Sequence, residues 1–77
     1  MKDYLKRIEV NSKIMVGKPV IKGTRVTVEV ILEKMRLGLT FEEILEDFPN
    51  ITKKDIIAAL EYAENLVKGE ELIPAIR

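Results

Sequence analysis

Gly17-Lys18-Pro19-Val20-Ile21-Lys22-Gly23-Thr24-Arg25-Val26-Thr27-Val28 decides how this chain is read, because the residues before it look extended and those after it look helical. Gly17 and Gly23 stand where a backbone can take positive φ or bulge, and Pro19 fixes its own φ and removes an amide donor. Between them Val20 and Ile21 are β-branched, which predicts a short strand. Lys18, Lys22 and Arg25 crowd three cations into eight residues of open backbone. The stretch therefore either binds an anion or only shapes a turn whose cations are solvated or paired with acids elsewhere.

Upstream, Arg7-Ile8-Glu9-Val10 alternates apolar and charged residues as a half-buried strand does, and Asn11-Ser12-Lys13 reads as a turn. Ile14-Met15-Val16 is a second extended candidate. Two or three such short strands are not stable alone, so they must pack on helices or pair with another subunit, and an intersubunit contact is expected here.

Downstream, Thr27 reads as the N-cap of a first helix whose apolar stripe is Val28, Ile31, Leu32 and Met35, closed by Gly38 at C′. Thr40 and Glu43 have capping-box spacing and Leu39 and Ile44 staple spacing, opening a second helix with Phe41, Ile44, Leu45 and Phe48 on its inner face. Pro49-Asn50 stops it. Thr52 with Asp55, and Ile51 with Ile56, repeat the device for a third helix that buries Ile56, Ala59, Leu60, Ala63 and Val67 and ends at Gly69. Ala58 and Ala59 would let another helix approach closely. The fold class is thus mainly α, three helices behind a short β element of two or three strands, whose caps and short last turn match either a three-helix helix-turn-helix domain or a plain three-helix bundle.

The chain has 77 residues, room for one domain: an extended segment over 1–26, the helical core over 27–69 and a tail over 70–77. The apolar residues of that tail have no place in a three-helix core, so it either packs on the domain, docks a partner or stays disordered. A chain this short has a marginal core, and with no cysteine and no histidine neither disulfides nor the usual zinc site can staple it. A homodimer or higher oligomer is expected. No stretch is apolar enough for a signal peptide or a membrane span, which predicts a cytoplasmic protein.

Net charge is zero but divided: residues 1–40 carry nine cations against four anions, and residues 41–77 carry four against nine. Either the halves attract each other, or the basic half is a nucleic-acid footprint. An enzyme is not expected. Without His or Cys no nucleophile–base pair stands out, and Glu42, Glu43, Glu46 and Asp47 form i,i+4 pairs on an outward helix face rather than a metal site. No cofactor is implied. Lys53 and Lys54 put positive charge in the first turn of the third helix, where exposed amides and the helix dipole also favour phosphate. Lys53, Lys54, Ile57, Ala58 and Glu61 form the groove-facing set of a recognition helix, to which a dimer would add Lys18, Lys22 and Arg36. Glu61 and Glu64 make the rest of that helix acidic, so the contacts would position DNA more than read it.

The run from Arg7 to Ala63, 57 of the 77 residues, carries G-K-P-V-I-K-G-T-R at 17–25, Gly38, E-E-I-L-E-D-F-P at 42–49, I-T at 51–52 and D-I-I-A-A-L at 55–60. It resembles domain-of-unknown-function family 433. The resemblance implies a homeodomain-like fold with a small N-terminal β element, and a small prokaryotic antitoxin encoded beside a toxin with a PIN-like ribonuclease fold. Gly17, Pro19, Gly23, Thr24, Arg25 and Asp47 are expected to be structural positions. Asp47 lies near a helix C-terminus, where the dipole disfavours an anion, and Arg25 is its expected bidentate partner. The function expected is a DNA-binding antitoxin and autorepressor that holds its operator by helix-turn-helix and neutralises the toxin; the alternative is a pure interaction module that blocks a ribonuclease-like partner without touching DNA.

Overall fold

A computed structural model of the chain describes residues 3–69. In order these are an N-terminal 3-10 turn, Asp3–Arg7; strand β1, Ile8–Glu9; a second 3-10 turn, Met15–Gly17; strand β2, Val20–Ile21; and helices α1, Val28–Arg36, α2, Phe41–Asp47, and α3, Lys53–Gly69. The chain is a mainly helical helix-turn-helix domain with a two-stranded antiparallel sheet at its N-terminal end. No helix among the described residues is long and apolar enough to cross a membrane. The expected behaviour of the 70–77 tail lies outside the described residues.

The 17–28 stretch is the joint of the molecule. β2 pairs on one side with β1, Ile8 opposite Ile21 and Glu9 opposite Val20. On its other side it receives the chain entering α1: Ile21 N–H donates to Val26 C=O at 2.9 Å and Val28 N–H to Pro19 C=O at 2.9 Å. Gly23 makes the intervening reversal at φ +81°, and Thr24 Oγ1 donates to Ile21 C=O at 2.8 Å while accepting the Val26 N–H at 2.9 Å. Thr27 then caps α1 by accepting the Val30 N–H at 3.0 Å. Buried β2 thereby sits directly beneath the first turn of α1.

The core is built from Ile21, Val26, Val28, Ile31, Ile44, Ile51, Ile56 and Ala59, with Leu32, Met35, Phe41, Leu45, Phe48 and Leu60 packed around it. Ile31, Ile44 and Ile56 are fully buried, one from each helix, each contributing about 1.5–3 kcal/mol. The caps stand as the spacing predicts: Thr40 and Glu43 exchange both capping-box bonds, and Gly38 leaves α1 at φ +92°.

Two expectations are corrected. Ile14-Met15-Val16 is no strand. The register fixes Glu9 opposite Val20, so residues 10–19 must close a loop, and they do so by turning left-handed: Met15, Val16 and Gly17 have φ of 49°, 56° and 82°. Val67 is the other exception, lying exposed although it continues the inner stripe of α3.

Candidate functional site

α3 begins where two hydrogen bonds close its cap: Thr52 N–H donates to Asp55 Oδ2 at 2.9 Å, and Asp55 N–H to Thr52 Oγ1 at 3.3 Å. Asp55 is buried, and its second oxygen is not free. Arg7 Nη1 donates to Asp55 Oδ1 at 3.0 Å, tying the N-terminal turn to the start of α3. Tyr4 meets Tyr62 edge-on, with ring centroids 6.4 Å apart, about two helical turns further along. The Asp3–Arg7 turn thus lies along the face of α3 that a DNA groove would have to receive.

This divides the expected groove-facing set. Ala58 is only 3% exposed and faces that turn, so it is not available to a groove; this corrects the sequence expectation, which could not see the turn fold back. It also uses Ala58 inside the protomer rather than for close approach by another helix. Lys54, Ile57 and Glu61 remain exposed and, with Tyr4, Lys6 and Arg7, line an open cleft of about 570 Å³. Lys53 leans the other way, its Nζ 5.7 Å from the centre of the Phe41 ring on α2. Lys18 pairs with Glu29 at 2.8 Å, while Lys22 and Arg36 are exposed; none of the three lines the cleft.

The expected Arg25–Asp47 clamp is not formed. Asp47 Oδ2 accepts from Lys34 Nζ at 2.7 Å, and that ammonium also sits 5.4 Å from the centre of the Phe48 ring. Lys34 lies in the last turn of α1, beside the C-terminus of α2, so it supplies the cation the helix dipole calls for. Arg25 is exposed and joins no ion pair among the described residues. Gly17 and Gly23 occupy left-handed positions, and Pro19 and Thr24 lend their oxygens to the joint.

The acids concentrate on α2. Glu42 and Glu46 are exposed one turn apart and unpaired among the described residues, whereas Glu43 caps Thr40 and Asp47 holds Lys34. No group of three or more potential ligands among the described residues could hold a metal ion.

Residues 8–63 match the family described as protein of unknown function, DUF433. The chain belongs to that family. An uncharacterised protein of Archaeoglobus fulgidus is 64% identical over 25 residues, which are 32% of this chain and 69% of the relative. The crystal structure of a DUF433 member protein from Anabaena variabilis superposes with a TM-score of 0.76 at 24% identity, over 87% of this chain and 70% of that one. That likeness establishes the shared fold. The family region begins at β1 and ends within α3, so the Arg7–Asp55 contact straddles its N-terminal boundary.

Proposed function

We propose that this chain is an antitoxin-type interaction module that uses its acidic helical face to block a basic, ribonuclease-like partner. One observation carries the reading: α2, the helix that in a helix-turn-helix complex crosses the phosphate backbone, exposes Glu42 and Glu46 without partners among the described residues. Carboxylates there repel DNA and complement the cationic channel through which a ribonuclease takes RNA. The burial of Ala58 behind the N-terminal turn supports the same choice, because it narrows what α3 can offer a groove.

The operator-binding reading retains one observation of its own, the exposed pair Lys53 and Lys54 at the start of α3. One set of measurements separates the two. RNA cleavage by a PIN-like ribonuclease taken from the chain's own gene neighbourhood is assayed with the wild-type protein and with Glu42→Lys/Glu46→Lys. Inhibition that the double variant loses supports the module; inhibition that it keeps removes the acidic face from the mechanism. In parallel, a labelled duplex from the upstream region is titrated against a scrambled duplex across a salt series. Preferential binding to the natural duplex, lost in Lys53→Glu, would establish the operator reading instead.

A further inference from the structure

The stripe that α3 turns toward the core does not end where the core ends. Ile56 and Ala59 are 0% exposed, Leu60 and Ala63 are half-buried, and Val67, next on the same stripe, is 58% exposed. Leu66 beside it is 51% exposed, and no residue from Glu64 to Gly69 is buried. The cause is length. α3 has 17 residues against 9 in α1 and 7 in α2, so its last two turns overrun the helices that cover its first half.

We infer that this overhang is a dimer seam, and that its occupant is the same overhang of a second copy of the chain, lying antiparallel. Ala63 is small enough to let a second helix approach, and set against Val67 of the second copy it gives each layer one small and one large side chain. Charge selects the direction. In an antiparallel pair like flanks meet, and Glu64 and Lys68 share one flank, 3.3 Å apart within the chain. Each Glu64 then comes beside Lys68 of the second copy. In a parallel pair that flank meets the opposite one, which carries Tyr62 and Asn65 and no charge. A chain of 77 residues with no cysteine has reason to cover such a stripe, since its own core is marginal. The seam lies at the far end of α3 from the Asp55 cap, and it holds whichever partner the acidic face engages.

The test is sedimentation velocity on the full chain over a concentration series, with circular dichroism as a check that each variant stays helical. The wild type is expected to dimerise and Leu66→Glu/Val67→Glu to be monomeric at the same concentrations. Glu64→Lys and Lys68→Glu, each alone, are expected to weaken the dimer about ten-fold. An equimolar mixture of those two single variants is expected to associate again, because every 64–68 contact between chains then joins opposite charges. Disruption confined to one helix could not be repaired by adding a second chain. A wild type that stays monomeric to millimolar concentration, or a mixture that associates no better than either variant alone, would overturn the inference.

Discussion

Arg7 and Asp55, forty-eight positions apart in the sequence, meet at 3.0 Å, and the contact uses the carboxylate oxygen that the α3 cap leaves over. One buried acid therefore does two jobs: it starts the third helix, and it holds the N-terminal turn against that helix. Asp55→Ala removes both, and is expected to cost about 2 kcal/mol. Arg7→Gln removes only the tether, whose guanidinium is half-exposed and screened, and is expected to cost about 1 kcal/mol. Thermal denaturation of the two singles and the double closes the cycle; additive losses would mean that the contact carries no coupling energy.

Val16 is 89% exposed and held at φ 56°, a conformation that costs a non-glycine residue roughly 1–2 kcal/mol with no burial in return. Val16→Asn keeps the turn and tolerates its geometry, so it is expected to raise stability by about 1 kcal/mol, read as a higher midpoint in denaturant. An unchanged or lower midpoint would count against the left-handed turn.

Gly23 is the converse case. A Cβ there would meet nothing within 4 Å, yet the residue stands at φ +81° in the reversal between β2 and α1. Gly23→Ala is accordingly expected to destabilise by about 1 kcal/mol through backbone strain alone. A neutral outcome would show that the joint can relax.

Ile44 is fully buried between the helices. Ile44→Ala is expected to lose about 2–5 kcal/mol, a large share of the ~5–15 kcal/mol that a small domain possesses. Denaturant unfolding followed by circular dichroism measures it, and a loss under about 1 kcal/mol would show the site collapsing around the cavity.

The Lys34–Asp47 pair replaces the clamp that the sequence invites with Arg25. Arg25→Ala is expected to leave stability within about 0.5 kcal/mol, and Lys34→Ala to lower it by roughly 0.5–1 kcal/mol. The reverse order in thermal midpoints would restore the Arg25 assignment.

What the sequence determined by itself is everything governed by neighbours along the chain. Thr27, Thr40 and Thr52 announce the three helix starts, because a cap needs only a side-chain oxygen two or three residues before an orphan amide. Gly38 and Gly23 announce left-handed turns, and the 3.6-residue spacing of Ile31, Ile44 and Ile56 with their apolar neighbours picks out the buried faces. The tertiary structure alone decided which distant groups meet. Arg7 carries no local sign of Asp55, and Lys34 competes for Asp47 on equal chemical terms with Arg25 until α1 and α2 are placed. Ala58 looks like any outward alanine until the N-terminal turn folds over it, and Val67 looks like core until α3 outruns its neighbours. Periodicity records which side of a helix is apolar, but what covers that side depends on where the other elements end.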